Sequence, residues 1–209
     1  MTESNFLYHT SCDSCGSRDN VAVYDDGHTY CFGCQHVTRE NELTQLQQKE
    51  TTGFINYDVN EIASRKIDYN TVQKFNYGTG AYFGRPCQIA NYYDKDRQLV
   101  AQKLRYPSKE FQWLGDVKQA TLFGQHLWRE KGKMVVVTEG EIDALSVSKL
   151  WDNKYPVVSI KTGAAGAKKD ISKELEWLES FDSVVLCFDQ DDAGKKAASE
   201  CARLFSPNK

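Results

Sequence analysis

No apolar run in this 209-residue chain approaches the ~20 residues that a helix needs to cross a bilayer, so no helical membrane span is expected. The opening stretch MTESNFLYHTSC lacks both a basic cluster and a long apolar segment, and it does not read as a secretory leader. A G-x4-G-K-[ST] sequence is missing as well, which leaves no P-loop to cradle a triphosphate. Positive charge is not in excess: the net formal charge is −3, so the field of the whole protein does not draw in a polyanion. These absences point to the cytosol and to a globular chain of ordinary composition, 40% hydrophobic and 26% charged.

What is present is unevenly distributed. Residues 57–133 carry 13 basic and 8 acidic side chains, between residues 1–56 with 3 and 8 and residues 134–209 with 10 and 13. A locally basic surface can hold nucleic acid even when the protein as a whole is acidic, although a mixed, solvated surface accounts for charge alone equally well.

Four of the seven cysteines form one pattern. Cys12 and Cys15 are followed, after fifteen intervening residues, by Cys31 and Cys34. Each C-x2-C knuckle can turn two thiolates toward one tetrahedral ion, and the interval is long enough for a hairpin to return the second knuckle to the first. Two disulfides or a redox pair are the alternatives. Val21–Tyr24 and His28–Tyr30 read as strands around Asp25-Asp26-Gly27. A segment this short buries little without a staple, so zinc would be structural. Tyr24, Asp26, His28 and Tyr30 lie where they could meet unstacked bases, or the aromatics could simply cover the knuckles. Cys87, Cys187 and Cys201 read as free thiols.

Residues 35–56 are polar and rich in Gln, Glu and Thr, the composition of a tether. Residues 61–77 suggest two short helices broken near 68–70. Residues 87–93 and 99–104 predict a β-hairpin around 94–97. Lys103 and Arg105, then Lys109, Phe111 and Trp113, alternate basic and aromatic side chains. On one sheet these could contact phosphates and stack bases, or the charges could face water from a half-buried hairpin.

The last third predicts β-α-β-α-β-α with strands at 134–138, 157–160 and 183–188 and helices at 141–150, about 169–179 and about 193–204. Its apolar strands imply a parallel sheet. Acids cluster where such a sheet places chemistry, at the strands' carboxyl ends: Glu139, Glu141 and Asp143 after the first strand, Asp189 and Asp191 after the third. Carboxylates sharing one edge repel one another unless a cation neutralises them, and hard oxygen donors suit magnesium. An acidic helix N-terminus accounts for Asp143 alone. Lys161, Lys168 and Lys169 flank the Gly-rich turn at 161–166 and could meet phosphates.

The four-cysteine box, the basic middle, VVTEGEID and the FDQD that follows resemble the primase half of T7-type phage primase–helicases, and more distantly DnaG-type primases. LFGQHLW and DDAGKKA extend the likeness. The resemblance implies an α+β multidomain fold: a β zinc ribbon at 1–38 for template recognition, a flexible linker at 39–56, and a basic mixed α/β N-terminal subdomain of an RNA polymerase domain at 57–133. A TOPRIM α/β parallel-sheet core follows at 134–209, short of the pattern's further strand and third acidic contribution. It implies zinc on Cys12, Cys15, Cys31 and Cys34, template recognition by Asp26 and His28, and nucleotide or template binding by Lys103, Arg105 and Lys109. Glu139 would be a metal ligand or general base, Asp189 and Asp191 would hold magnesium, and Glu141 and Asp143 would be accessory acids. The implied activity is synthesis of short RNA primers on single-stranded DNA from ribonucleoside triphosphates in a phage-infected bacterium. A replicative helicase in cis or trans and a DNA polymerase are the implied partners. A RecR-like DNA-binding mediator and a TOPRIM nuclease fragment are the rival readings.

Overall fold

The computed structural model describes residues 4–12, 14–25, 28–38 and 53–209. They fall into two compact units, Met1–Gly53 and Phe54–Lys209. Asp26 and residues 39–52, most of the expected linker, lie outside the described residues.

The first unit is a four-stranded antiparallel sheet in the order β1 (Phe6–Thr10), β2 (Val21–Tyr24), β3 (Thr29–Cys31), β4 (Val37–Thr38). The two central strands are those expected from the sequence; β1 and β4 extend the sheet on either side. Among the described residues its buried apolar cluster is Cys12, Val21 and Cys31. So small a core explains why two of its three members are cysteines: the fold closes around the thiols rather than around aliphatic side chains.

The second unit opens with a single 3-10 turn at Ala63–Arg65 and helix α1 (Tyr69–Lys74). Asp68 caps α1, its Oδ1 accepting from the Thr71 N–H at 2.8 Å. The break expected near 68–70 is therefore the start of a capped helix. An antiparallel sheet follows, β5 (Tyr77–Tyr82), β6 (Arg85–Tyr93), β7 (Leu99–Arg105) and β8 (Phe111–Gly115), in sequence order. The expected hairpin forms its middle. β5 and β8 were not expected as strands, because Tyr77 closed a helical pattern and Phe111 and Trp113 read as aromatics trailing a turn.

Next come β9 (Gly132–Thr138), α2 (Glu141–Leu150), β10 (Val157–Ser159), α3 (Ala167–Lys173), α4 (Leu175–Glu179), β11 (Phe181–Cys187) and α5 (Asp192–Ala202). The three strands are parallel in the order β10-β9-β11. Along β9 the side chains alternate between two cores. Val136 joins Ile67, Phe75, Tyr92, Leu145 and Val157, whereas Val135 and Val137 join Ile160, Ile171, Leu178 and Phe181. Burial on both faces is why this strand is an unbroken apolar run. The helix expected over about 169–179 is two helices: Glu174, with φ −107 and ψ 18, closes α3 and starts α4.

Candidate active site

In the first unit the sulfur atoms of Cys12, Cys15, Cys31 and Cys34 all lie within 4.8 Å of one another. Cys12 to Cys34 is 3.6 Å and Cys15 to Cys31 is 3.7 Å. Four thiolates at 2.3 Å from one tetrahedral zinc sit about 3.8 Å apart, whereas a disulfide holds its sulfurs at about 2.05 Å. The spacing fits zinc, with these four residues as its ligands. The Cys34 backbone N–H heads the influences that lower the Cys31 thiol to about 6, whereas at Cys34 the His36 backbone bond is outweighed by burial and the neighbouring thiols, which raise it to about 12. Four thiols this close do not all ionise unless a cation neutralises them. His28 stacks on Tyr24 with ring centroids 4.2 Å apart, and Tyr30 meets Phe32 edge-on at 5.0 Å.

In the second unit the parallel strands end at a common sheet edge. β9 lies between its neighbours, so the chain leaves it toward β10 on one side while β11 occupies the other; a crevice opens where strand order reverses in this way. Glu139 follows β9 directly. Its Oε1 accepts from the Ala164 backbone N–H at 3.2 Å and its Oε2 from that of Asp189 at 3.4 Å. One carboxylate thus ties together the loops after β10 and β11. Gly163, at φ +67, supplies the left-handed turn just before Ala164.

Gly140 precedes α2 in extended conformation, and a Cβ there would stand 2.9 Å from Asp143 Oδ2. The missing side chain leaves room for Asp143 to lie back toward the strand end. Asp143 reaches solvent, yet the protein around it desolvates the carboxyl and raises its pKa; the Asp189 and Glu139 charges push the same way, while Arg65 and Arg105 oppose. Glu139, Asp143 and Asp189 are therefore close enough to feel one another.

Opposite these acids stands a basic and aromatic wall from the antiparallel sheet. Lys103 pairs with Trp113 and Arg105 with Phe111 across β7 and β8. Acids and wall enclose a cleft of about 670 Å³, which Arg65, Glu141, Lys161, Thr162 and Gly163 also line. Glu141 is 8% exposed. Its Oε1 accepts from Tyr92 Oη at 2.5 Å and from Lys103 Nζ at 2.8 Å, so it anchors the wall rather than standing free among the acids.

The remaining candidates divide. Asp191 does not line the cleft; its Oδ1 accepts from the Gly194 N–H at 2.8 Å and caps α5. Lys161 lines the cleft, but its amine is buried, donating to the Ala120 carbonyl at 2.7 Å and lying 3.8 Å from Asp170. Burial lowers its pKa, which Asp170 partly restores. Lys168 and Lys169 are exposed on α3, outside the cleft lining. Lys109 lines a neighbouring groove of about 420 Å³ that shares Arg65 and Arg105 with the cleft. Among the described residues the four cysteines are the one side-chain group gathered as for a metal; Glu139, Asp189 and Asp191 are not drawn together in that way. Like charges hold such a set apart, and Asp191 is committed to its cap. The oxygen donors of Glu139, Asp143 and Asp189, which line one cleft, nonetheless suit a hard divalent cation. Sequence reading missed Arg65, hidden in a helical-looking segment, and Tyr92, one of several aromatics on an alternating strand.

Comparison with known proteins adds relatives. Residues 58–115 match the family described as bacteriophage T7 DNA helicase/primase, N-terminal a+b fold, and residues 136–209 match the Toprim-like family. The DNA helicase/primase of Enterobacteria phage T3 is 40% identical over 99% of this chain, which spans 39% of that relative's length. The crystal structure of the primase fragment of bacteriophage T7 primase-helicase protein is 38% identical, with a TM-score of 0.69, over 98% of this chain and 88% of that one. A bacteriophage T7 structure of lagging-strand DNA polymerase interacting with primase domains bound to an RNA/DNA hybrid and dTTP is 39% identical, with a TM-score of 0.62, over 90% and 82%.

Proposed function

Because the chain belongs to the T7-type phage DNA helicase/primase family, we propose that it is a DNA primase, synthesising short RNA primers on single-stranded DNA at a short recognition sequence during phage DNA replication. The observation that supports this most is the pairing of acids and cations across one cleft. Glu139, Asp143 and Asp189 face Lys103, Arg105, Phe111 and Trp113 across about 670 Å³, a volume suited to a nucleotide.

In the reaction the 3′-hydroxyl oxygen of the growing primer bonds to the α-phosphorus of a ribonucleoside triphosphate. The α–β bridging bond breaks, pyrophosphate leaves, and the hydroxyl proton must be taken up. Glu139 is the carboxylate placed at the centre of the strand ends to accept that proton. Lys103 and Arg105 attract the triphosphate, and Phe111 and Trp113 offer faces on which a base stacks. Glu139, Asp189 and Asp143 would hold a magnesium ion, which would neutralise charge on the phosphates and acidify the attacking hydroxyl. Asp191 contributes by fixing the start of α5 behind Asp189. Placement of the reactants by these side chains accounts for much of the rate.

The ribbon, with zinc on its four cysteines, is the template-reading unit in this proposal, with His28 and Asp26 contributing to recognition. Residues 57–133 are its basic subdomain and residues 134–209 its TOPRIM core. A replicative helicase and a DNA polymerase are the partners, and the cytoplasm of an infected bacterium is the setting. Among the described residues no helix is long and apolar enough to cross a membrane.

The test offers the protein single-stranded DNA of varied trinucleotide content with magnesium and labelled ribonucleotides. Short template-dependent RNA is the expected product. DNA cleavage instead would identify a nuclease, and binding with neither product a recombination mediator. Asp189→Ala is expected to abolish synthesis while one zinc per chain is retained; loss of zinc in that variant would contradict the separation of the two sites.

A further inference from the structure

We infer that Tyr92 is a positioning residue for nucleotide binding, acting through buried Glu141 to fix the ammonium of Lys103 at the cleft wall. The inference rests on reading the cleft as a ribonucleotide site.

Tyr92 lies on β6, is 1% exposed, and does not itself line the cleft. Its ring is held by Trp113, 4.8 Å away between centroids, and by Phe123 at 5.5 Å. Its hydroxyl donates to Glu141 Oε1 at 2.5 Å, and the same oxygen accepts from Lys103 Nζ at 2.8 Å. Lys103 makes a second bond, to the Lys161 carbonyl at 2.7 Å. An ammonium has three N–H donors. Two are engaged by these bonds, so the side chain is held in one place with a third donor for an anion. The face of Phe111 lies 4.8 Å from the nitrogen and that of Trp113 5.5 Å, within reach of a cation–π attraction that adds to its placement.

The Lys103–Glu141 pair is nearly dry, with side chains 11% and 10% exposed. In such surroundings a carboxylate oxygen shared by two donors arranges both of them. The phenol occupies one lone-pair direction of Oε1, so the ammonium must approach along the other. Without the hydroxyl, Lys103 keeps its bonds to Glu141 and to the Lys161 carbonyl but loses the neighbour that fixes its line of approach to Oε1, and its ammonium is less sharply placed at the cleft wall. Burial and the Glu141 charge hold the Tyr92 pKa well above that of an ordinary phenol, so the hydroxyl remains the donor across the working pH range.

Tyr92→Phe keeps the packed ring and deletes only the donor. Removing a hydrogen bond of this kind is expected to raise the Kd for labelled ATP with magnesium, and the ribonucleotide KM in primer synthesis, by about three- to tenfold, with kcat within about twofold. In a Lys103→Met background the same change is expected to add less than about twofold, because the coupling partner is gone. A purely structural role moves neither the KM–kcat split nor this coupling. If Kd and KM of Tyr92→Phe stay at wild-type values, or the two losses multiply in the double variant, the inference is wrong. Wild-type protein that binds ATP but makes no RNA overturns the primase reading and leaves the Kd comparison to decide this one. Should Tyr92→Phe fail to fold, Glu141→Gln and Glu141→Ala carry the test. Gln retains an acceptor for both donors and is expected to hold Kd closer to wild type than Ala does; equal losses would overturn the inference.

Discussion

At the scale of single residues, two positions have consequences that reach beyond their size. Gly194 lies in the first turn of α5, and a Cβ there would stand 2.2 Å from the Asp189 carbonyl oxygen and 2.9 Å from its carbonyl carbon. Those atoms are backbone and cannot step aside. Gly194→Ala is therefore expected to displace Asp189, lowering primer synthesis by about tenfold or more while costing about 1–3 kcal/mol in urea unfolding. Unchanged activity would mean that Asp189 tolerates movement. His126 is the second case. Among the described residues its buried Nε2 has no hydrogen-bond partner, and burial, aided by the Arg97 charge, lowers its pKa to about 4. An unfolded histidine titrates near 6.5, so between about pH 6.5 and 4 the unfolded chain binds more protons than the folded one. Stability is then expected to fall as pH drops through that window, by on the order of 1–3 kcal/mol, since the ring is only partly screened from water. Urea midpoints at pH 7 and 4.5 measure this, and His126→Gln should flatten the difference.

At the scale of elements, the start of α5 separates two roles for one side chain. Asp191 caps the helix through Gly194. Asn caps about as well as Asp, whereas Ala costs about 1 kcal/mol. Asp191→Asn is expected to keep wild-type stability and Asp191→Ala to lose roughly that amount in thermal or urea unfolding. If Asp191 also serves the cation, both variants lose synthesis together and their magnesium requirement rises; if only the cap matters, the Asn variant remains active. The three-residue spacing from Asp191 to Gly194 was present in the sequence, but a pair of aspartates after a strand reads as chemistry before it reads as capping. The parallel strands were legible as short apolar, β-branched runs, and the helix at 141–150 as the segment joining two of them. β5 and β8 were not, since their burial depends on a sheet that exists only once β6 and β7 have paired.

At the scale of the molecule, the two units rest on different forces. Among the described residues the ribbon has three residues in its buried cluster, whereas residues 54–209 contain three apolar clusters, two of them extended. Removing zinc with a chelator, or replacing Cys12 by Ser, is expected to unfold residues 4–38 and leave the main thermal transition of residues 54–209 within a few degrees. A collapse of both transitions together would show that zinc supports the larger unit as well.

The sequence by itself determined the four-cysteine grouping of the ribbon and the place of the acids. Cysteine spacing is a local quantity, and Glu139, Asp143 and Asp189 follow or flank strand ends that apolar runs announce. Only the tertiary structure decided which charged groups remain available. It committed Glu141 to Tyr92 and Lys103, Lys161 to Asp170, and Asp191 to α5, and it brought Arg65 to the cleft. A side chain's charge is written in the chain, but its partner is chosen by packing between segments far apart in sequence, and a buried charge is stable only where that packing supplies one.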